Sequence, residues 1–412
     1  MHATRSADIT ILGAGVVGLA TAWAAARRGL AVQLVDSAEG PALGASFANG
    51  GQLSYAYTDA MAGPALWKQL PGLFAGNDPA FRLKLDAHPA VWRWGLSLLA
   101  NATSARLRRN TLHTLALAQQ SERAMQALLE RHPLDFQHRV AGKLHVYFRD
   151  AGLEAGRRMM ELKRPHGVEQ VMLDAAQVLE VEPALAQMTG IRGAVYSPRE
   201  AAGDPWKFCT DLLGILQDQY GLRSRFGFNA ASIRRSGSEW LLQSGDGEQI
   251  RARRLVVCAG IHSAALLRPL GARLPLMAVK GYSLTAPCGP EAPTVSITDT
   301  ARKLVFCRLG DRIRIAGIAD INDWSTEPDP RRFERFLQLA RESLPGAADW
   351  DGISHRWAGL RPSTPTSTPI IANLQEGLTC NAGHGMLGWT LAMGSGERAV
   401  ALAMGQAAAS AG

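Results

Sequence analysis

The sequence predicts an α/β protein of two domains, one of them a Rossmann-like nucleotide-binding domain assembled from several segments of the chain. A strand, a glycine turn, a helix and a second strand follow one another within residues 8–36. Three predicted buried strands also run into small residues, near positions 13, 260 and 383. The segments between them combine antiparallel strand patterns with helices, which indicates a second domain that covers the ligand.

The glycine turn is the most informative local pattern in the chain. An apolar run, Ile9–Leu12, breaks at the sequence GAGVVG (residues 13–18), and small, helix-favouring residues continue to Arg28. Gly29 stands where a helix would stop, and the second apolar run, residues 31–35, ends at an aspartate. The order strand, glycine turn, helix, strand and acid is typical of a dinucleotide-binding unit.

Each conserved type of residue in such a unit has a physical task. Gly13 permits the tight turn, Gly15 lets the backbone approach a pyrophosphate, and Gly18 lets the helix pack closely on the sheet. The helix N-terminus offers free N–H groups and a partial positive charge to the phosphates. Asp36, eighteen residues after Gly18, is placed to accept hydrogen bonds from the ribose hydroxyls.

The other elements follow from apolar periodicity and from the positions of glycine and proline. Residues 44–52 have small side chains and suit a loop or helix start lying against a ligand, and prolines divide the Trp- and Leu-rich stretch 61–99. Helices are predicted at residues 101–131, 153–164, 205–220 and 331–343, with a closing helix after a turn at 383–388. Strands are predicted as a pair around Gly142 within 136–148, then at 193–197, 223–228, 239–244, 255–257, 276–285 and 303–319.

Composition excludes several classes of protein. The five cysteines form no CxxC pair, which argues against a zinc site or a disulfide framework and favours a reducing compartment. No signal peptide is expected before the first strand, and no apolar run reaches the roughly 18 residues of a membrane span. The net charge of +8 comes with no nucleic-acid motif, so we expect a solvated basic surface. The sequence therefore predicts a cytoplasmic protein that binds no nucleic acid.

Five motifs occur in the order in which one family carries them: residues 9–23, 45–52, KGYSL at 280–284, GLRP at 359–362 and GHGMLGWT at 383–390. The chain resembles the FAD-dependent D-amino-acid dehydrogenases of the small-subunit type, within the D-amino-acid oxidase and glycine oxidase superfamily. The likeness covers nearly the whole chain. It departs from the family at Thr366, where an aspartate is common, and at Ala372, where glycine is common.

The resemblance implies a two-domain flavoprotein that oxidises D-amino acids by hydride transfer from the α-carbon to flavin N5. The imino acid formed would hydrolyse to a 2-oxo acid and ammonia, and the electrons would pass to a quinone or another acceptor. The FAD would be held non-covalently, because no cysteine adjoins Arg361, as a flavin attached in the manner of the sarcosine oxidases would require. Alternatives are a cis-4-hydroxy-D-proline or D-proline dehydrogenase, an oxidase using O₂, and an FAD-binding subunit of a multi-subunit amine dehydrogenase.

The fingerprint and the resemblance together give a set of expected FAD-binding residues: Ile11, Gly13, Ala14, Gly15, Val16, Val17, Gly18, Asp36, Ser37, Ser46, Asn49, Gly50, Gly51, Gln52, Ala259, Gly260, Gly383, His384, Gly385, Met386 and Leu387. The expected FAD-binding domain comprises residues 1–60, 200–275 and 352–412. The expected substrate or cap domain comprises residues 61–199 and 276–351.

The resemblance also implies the residues that handle the substrate. Arg361, in GLRP, is expected to grip the carboxylate with two parallel hydrogen bonds, or to be a structural arginine paired with a nearby acid. Tyr282 is expected to add a hydroxyl donor, or to be a core tyrosine, and His384 to bond the flavin or substrate, or to shape its turn. Arg302 or Lys303 would be a second cation, and no general base is assigned.

The stretch 61–99 has two interpretations. Its apolar side chains, interleaved with lysine and arginine, suit docking on an anionic membrane and admission of a quinone. It equally suits a packed helical cap over the active site. The first interpretation places the protein at the inner face of the cytoplasmic membrane.

Overall fold

The strand Ile9–Leu12, the turn after it and the helix Val16–Ala26 form as the fingerprint predicts. They belong to a mixed α/β protein whose computed structural model describes residues 7–76, 78 and 80–406. The α-helices are α1 (Val16–Ala26), α2 (Leu66–Phe74), α3 (Pro89–Asn101), α4 (Ser104–Arg131), α5 (Asp150–Lys163), α6 (Ala175–Val181), α7 (Pro205–Tyr220), α8 (Ser263–Leu267), α9 (Pro330–Ser343) and α10 (Gly388–Ala403).

The strands of the described residues form sheets of six, three, nine and three strands. In chain order they are β1 (Ile9–Leu12), β2 (Val32–Val35), β3 (Gln52–Leu53), β4 (Phe81–Leu83), β5 (Arg139–Val140), β6 (Lys143–Tyr147), β7 (Val171–Asp174), β8 (Gly193–Ser197), β9 (Ala201–Ala202), β10 (Arg223–Arg225), β11 (Ala230–Ser236), β12 (Glu239–Ser244), β13 (Gln249–Ala252), β14 (Leu255–Val257), β15 (Met277–Pro287), β16 (Ser296–Asp299), β17 (Leu304–Leu309), β18 (Arg312–Ile321), β19 (His355–Ser363), β20 (Ile370–Gln375) and β21 (Leu378–Ala382).

The six-stranded sheet has the order β10-β2-β1-β14-β21-β20, in which only β20 runs antiparallel to its neighbour. The strands β1, β14 and β21 lie side by side, although they come from the beginning, middle and end of the chain. Their carboxyl ends are the three small-residue ends seen in the sequence. This confirms that one nucleotide-binding sheet is assembled from several segments, and it places all three turns at one edge.

Helices α1, α4, α7 and α10 share one hydrophobic core against this sheet. Two glycines let α10 lie close to two helices at once. A Cβ on Gly396 would stand 2.7 Å from the backbone of Ala20 in α1, and one on Gly394 would stand 2.8 Å from the backbone of Leu117 in α4. Helix α4, which the sequence analysis assigned to the cap domain, therefore packs on the nucleotide-binding side. The predicted domain boundaries stay a prediction.

A small antiparallel sheet, β11-β12-β13, shares the other core of the six-stranded sheet, where Trp240 is fully buried. The sequence analysis missed β11 and β13, and it extended the strand at residues 223–228 too far, because β10 ends at Arg225. Strand β11, with the sequence AASIRRS, shows little alternation between apolar and polar residues. Only Ile233 among its seven residues is buried. Its pairing with β12, not its own composition, makes it a strand.

The nine-stranded sheet has the order β19-β15-β18-β17-β16-β6-β8-β7, with β4 added beside β18. The pair of strands predicted around Gly142 is wrong in its pairing. Strand β5 joins β9 in a small sheet, whereas β6 joins β8 and β16. Gly142, with φ 71°, redirects the chain from one sheet to another and does not close a hairpin. Strand β19, placed in the FAD-binding domain by the sequence analysis, pairs along its length with β15.

The register of this sheet places a row of side chains on one face. Directly opposed residues share a face, and the row crosses five strands from β19 to β16. It consists of Trp357, Ser283, Ala316, Val305 and Thr298. This face looks towards the carboxyl edge of the six-stranded sheet.

Candidate active site

A cavity of about 1040 Å³ lies between the two large sheets. One side, the nucleotide wall, consists of the turns that follow β1, β2, β14 and β21, at residues 13–17, 36–38, 258–262 and 384–388. The other side, the sheet wall, consists of the row from Trp357 to Thr298 together with Gly359 and Arg361. A crevice outside the carboxyl ends of parallel strands is the usual ligand site of such sheets.

The glycine turn has no room for side chains at two of its glycines. Gly13 has φ 111°, and a Cβ there would stand 2.4 Å from the carbonyl oxygen of Cys258 in the neighbouring turn. A Cβ on Gly18 would stand 1.7 Å from the carbonyl oxygen of Gly13. Gly15 differs, because its nearest neighbour is the Ser46 hydroxyl at 3.3 Å and the space beside it is the cavity.

Asp36 organises the turn before any ligand is considered. One of its carboxylate oxygens accepts a hydrogen bond from the backbone N–H of Ala14, and the other accepts one from Ala38 at 2.8 Å. The side chain lines the cavity at the end of β2. The sequence predicted a ribose-binding acid, and the structure adds that this acid also holds the strand ends together.

The loop at residues 44–53 connects the two walls. The Ser46 hydroxyl accepts a hydrogen bond from the backbone N–H of Val16 at 3.1 Å, at the start of α1. On the other side, the Ser283 hydroxyl of the sheet wall donates to the carbonyl oxygen of Ala48 at 2.6 Å. The predicted small-residue loop is therefore fixed against both sheets, with its backbone along the cavity.

The expected FAD-binding residues divide into two groups. Those that line the cavity are Gly13, Gly15, Val16, Val17, Asp36, Ser37, Ser46, Asn49, Gly50, Gln52, Ala259, Gly260, His384, Gly385, Met386 and Leu387. The others are Ile11, Ala14, Gly18, Gly51 and Gly383, which lie behind the surface of the cavity and support it. Gly51 and Gly383, for example, have φ 70° and 86° and pack against Cys307 and Thr364.

His384 begins the turn between β21 and α10. Its side chain is buried, and its Nε2 atom has no hydrogen-bond partner among the described residues. Burial lowers the pKa of His384 to about 3, so the ring is neutral at physiological pH. A buried imidazole nitrogen without a partner is costly, and its position on the nucleotide wall makes a ligand atom its natural partner.

Arg361 is brought to the sheet wall by β19. The guanidinium lies over Gly281 of the adjacent strand, and within residues 7–76, 78 and 80–406 no hydrogen bond or ion pair satisfies it. Burial lowers the pKa of Arg361 to about 10, and no nearby charge contributes to the shift. The side chain stays protonated at neutral pH, so the cavity contains a cation that lacks an anion.

Tyr282 is among the residues that line the cavity, but its hydroxyl is bonded to another residue. The ring packs in the core on the far face of the nine-stranded sheet, and the hydroxyl donates a hydrogen bond to the fully buried Asp320 at 2.6 Å. Asp320 also pairs with Arg82 at 2.7 Å and with Arg332 at 3.0 Å. Since neighbouring residues of a strand point to opposite faces, Tyr282 faces away from Gly281 and Ser283. These contacts favour the core interpretation of Tyr282 over the expected second carboxylate donor, which stays a prediction.

Arg302 is not among the residues that line the cavity. Its guanidinium pairs with the fully buried Asp299 at 2.9 Å and lies over the Phe148 ring. The next residue, Lys303, lines the cavity instead, in an exposed turn where its φ is 59°. Of the two cations left open by the sequence, Lys303 is the one that lines the cavity.

Sequence reasoning missed Lys143, a buried lysine that lines the cavity. Its ammonium donates to the Ser54 hydroxyl at 2.7 Å and lies 5.0 Å from the centre of the Tyr57 ring. Burial lowers the pKa of Lys143 and raises that of the neighbouring Glu200 carboxyl. The alternation in KLHVY, residues 143–147, could have revealed it, because one face of that strand is polar and the other apolar.

The residues present fit the FAD that the resemblance implies. The cavity is at the upper end of the roughly 300–1,000 Å³ typical of small-molecule sites, and its nucleotide wall presents a helix N-terminus beside Gly15. Gly15 would fill part of this space if it carried a Cβ, and the unpaired His384 nitrogen lies farther along the same wall. Together these features provide a phosphate cradle and a polar partner for a planar ring.

Comparison with known proteins agrees with this geometry. The pattern of the FAD dependent oxidoreductase family (DAO) matches residues 8–402. D-amino acid dehydrogenase 2 of Ralstonia nicotianae is 40% identical over 400 residues, covering 94% of each chain. D-amino acid dehydrogenase of Paramagnetospirillum magneticum is 37% identical over 407 residues, covering 97% of this chain and 96% of the other.

Among solved structures, glycine oxidase from Geobacillus kaustophilus is similar with a TM-score of 0.76, at 20% identity, covering 98% of this chain and 96% of the other. At that identity the likeness concerns the fold. The family match and the close relatives, over nearly the whole chain, carry the assignment. The chain belongs to the family of FAD dependent oxidoreductases.

Proposed function

We propose that this protein oxidises D-amino acids to imino acids, which hydrolyse to 2-oxo acids and ammonia. The observation that carries the proposal is the unpaired guanidinium of Arg361 on the sheet wall of the FAD cavity. Arg361 is half-buried, and a charge partly withdrawn from water without a partner is costly. An arginine fork matches a carboxylate with two parallel hydrogen bonds. The names of the relatives, all D-amino acid dehydrogenases, support the D configuration.

In this proposal the chain contributes position more than acid–base chemistry. Bound FAD supplies the acceptor for the hydride that leaves the substrate α-carbon. Arg361 holds the carboxylate, which fixes the α-carbon relative to the two walls, and such orientation lowers the barrier by several kcal/mol, up to about 7–11 in the best cases. The neutral ring of His384 offers a hydrogen bond without adding charge.

The proposed binding of the substrate carboxylate by Arg361, called here the carboxylate clamp, is tested with Arg361→Ala. Truncating one partner of a buried charge pair costs about 2–5 kcal/mol, which corresponds to a loss of roughly 30- to 5,000-fold in kcat/KM. Arg361→Lys should recover only part of the loss, because an ammonium cannot reproduce the planar fork. The FAD content of both variants should match the wild type, since the proposal assigns Arg361 to the substrate. A loss below about threefold in an FAD-loaded Arg361→Ala protein would contradict the clamp.

The substrate is tested by anaerobic reduction of the purified flavoprotein. D-alanine, D-proline and cis-4-hydroxy-D-proline are each mixed with the protein, and bleaching of the flavin is followed, with L-alanine as the control. Bleaching by cis-4-hydroxy-D-proline alone would favour that dehydrogenase, and rapid reoxidation by O₂ would favour an oxidase. If none of the amines bleaches the flavin, the subunit interpretation replaces the proposal.

We further propose that the electrons leave at a membrane surface, to a quinone. Helix α2 is largely apolar, yet none of its residues is buried. Lys68 in α2 and Arg93 in α3 are exposed, and both helices carry exposed apolar side chains. Such a combination of apolar and basic groups suits an anionic membrane. The exposed apolar residues of this surface, the α2–α3 surface, are Trp67 (53% exposed), Phe74 (56%), Leu85 (58%), Trp92 (52%) and Leu96 (66%). In the part of the chain that the structure describes, no helix has the length and hydrophobicity to span a bilayer.

Co-sedimentation with anionic vesicles tests this surface. The wild type should bind at low salt, and a variant with Trp67→Ser, Phe74→Ser and Trp92→Ser should not. Val140→Ser is the matched control, because Val140 is an apolar residue that is 65% exposed outside the α2–α3 surface. Wild-type protein that stays in the supernatant would leave the α2–α3 surface as a cap and not a docking site.

A further inference from the structure

Two glycines face each other on the sheet wall. Gly281 of β15 lies directly opposite Gly359 of β19 in the antiparallel ladder. Gly359 lines the cavity, whereas Gly281 lies beneath the guanidinium of Arg361, which lines it. Glycine is unfavourable inside a strand and often marks a place where another group approaches the backbone closely. The pair leaves a patch of bare backbone in the middle of the wall.

The guanidinium of Arg361 occupies the space above Gly281. A Cβ on Gly281 would stand 2.1 Å from one terminal nitrogen of Arg361, 2.3 Å from Cζ and 2.8 Å from Nε, and these are its three nearest atoms. Arg361 lies opposite Val279, so Gly281 is its diagonal neighbour, at a separation that a long side chain readily spans. The guanidinium therefore rests flat on the backbone of the next strand.

The backbone of Gly281 does not itself require glycine. Gly281 is not among the residues with positive φ, so an alanine fits the local conformation. Relief of the clash requires the guanidinium to move by roughly 1.5 Å, since non-bonded carbon atoms are in contact at about 3.5 Å. This movement is possible for the end of a flexible side chain, and it would change the position of the clamp without disturbing the sheet.

We propose that Gly281 is a positioning residue, which seats the guanidinium of Arg361 at the height and angle needed to grip a substrate carboxylate. The inference rests on the proposed function of Arg361. It also explains the motif KGYSL, whose successive side chains point to opposite faces of β15. Lys280 and Tyr282 are buried and lie near Asp323 and Asp320. On the other face, Ser283 lines the cavity and Gly281 lies beneath the guanidinium of Arg361.

The test measures binding of propionate, a carboxylate without an amine, to the FAD-loaded protein by isothermal titration calorimetry. In Gly281→Ala, the Kd for propionate should rise at least about tenfold, because a displacement of about 1 Å can cost up to a hundredfold in a positioned site. The uncharged analogue propionamide should change less than about twofold, because it makes no charge pair. FAD content and unfolding midpoint should remain near the wild-type values.

A double-mutant cycle shows whether the effect passes through Arg361. Once Arg361→Ala has removed the guanidinium, adding Gly281→Ala should change the Kd by less than about twofold, because the two groups act as one unit. Gly359→Ala is the matched control: its Cβ would meet the ring of Trp357 at 2.1 Å and not Arg361. Its effect on propionate binding should be the same with and without Arg361.

The outcomes separate the two proposals. If Arg361→Ala weakens propionate binding and Gly281→Ala does not, the positioning role of Gly281 is overturned and the carboxylate clamp of Arg361 stands. If Arg361→Ala leaves propionate binding unchanged, both are overturned. If the Gly281→Ala protein does not retain FAD, the Gly281→Ala/Arg361→Ala protein should retain it, because the clashing guanidinium is gone. Failure of the double variant to retain FAD overturns the positioning role of Gly281.

Discussion

The two walls of the cavity are built by different means. The nucleotide wall consists of turns that directly follow parallel strands, and its groups are mainly backbone atoms and small side chains. The sheet wall consists of side chains that five strands bring into one row, and it carries the unpaired cation. The first wall can be recognised in a short stretch of sequence, whereas the second exists only after the strands have paired in the correct register.

The difference predicts how each wall fails when it is mutated. On the nucleotide wall, Gly15→Val should reduce FAD affinity by at least about a hundredfold while the chain still folds, because a side chain there enters the cavity. Gly13→Ala should instead lower the free energy of unfolding by about 2–4 kcal/mol, since its Cβ would clash with Cys258 and its φ is 111°. Flavin absorbance and thermal unfolding separate the two effects. Gly15→Val protein that retains stoichiometric FAD would contradict this assignment of the wall.

His384 gives the nucleotide wall a pH dependence. Burial lowers the pKa of His384 to about 3 in the folded protein, below its ordinary value of 6.5, so between these values the unfolded chain binds a proton that the folded protein does not. Stability is therefore complete above pH 6.5 and declines as the pH falls towards 3. Between pH 7 and pH 5 this group alone should remove up to about 2 kcal/mol from the free energy of unfolding. Urea unfolding at both pH values should show a smaller loss in His384→Asn; equal losses would contradict the prediction.

On the sheet wall, Tyr282 separates stability from binding. Tyr282→Phe removes one hydrogen bond to the buried Asp320 carboxylate and should lower the free energy of unfolding by about 1.5–3 kcal/mol. Propionate binding should change less than about twofold, because the hydroxyl lies on the opposite face from Gly281. A large loss of propionate affinity in a stable Tyr282→Phe protein would indicate that this hydroxyl binds the substrate carboxylate.

Substitutions of Lys303 and Arg302 should have the smallest effects on catalysis. Because the two residues are adjacent in sequence, they allow a direct comparison of a cation in the cavity with one outside it. Lys303→Ala should lower kcat/KM about threefold to tenfold and reduce its salt dependence, as expected of a charge at the rim of a site. Arg302→Ala should change kcat/KM less than about twofold, because its guanidinium is paired with Asp299 away from the cavity. Steady-state kinetics at two salt concentrations measures both effects. A larger effect of Arg302→Ala than of Lys303→Ala would indicate that Arg302 is the second cation.

Sequence patterns predicted the nucleotide wall well because its constraints are local. A turn with φ 111° at Gly13 admits little but glycine, and the carbonyl oxygen of Gly13 leaves no room for a side chain at Gly18. The strand Leu255–Val257 and the helix Pro205–Tyr220 were also predicted with the bounds that the structure shows. In these elements the periodicity and the capping residues leave a single interpretation.

Sequence patterns failed where a residue's role depends on the face to which it points. Tyr282 and Arg302 each carry suitable chemistry, yet the Tyr282 hydroxyl and the Arg302 guanidinium are both bonded to buried aspartates. Lys143 was missed although it lines the cavity. A shift of one residue in register moves every side chain of a strand to the other face, and register depends on partners that are distant in sequence.

The sequence by itself thus determined the Rossmann-like unit, the small-residue loop and most of the residues along the nucleotide wall. Only the tertiary structure decided that Arg361 lies over Gly281, that Lys303 and not Arg302 faces the cavity, and that the strands around Gly142 belong to different sheets. The physical reason is the range of the interactions. Turns and helices are fixed by neighbours along the chain, whereas the faces of a nine-stranded sheet are fixed by hydrogen bonds between segments far apart in sequence.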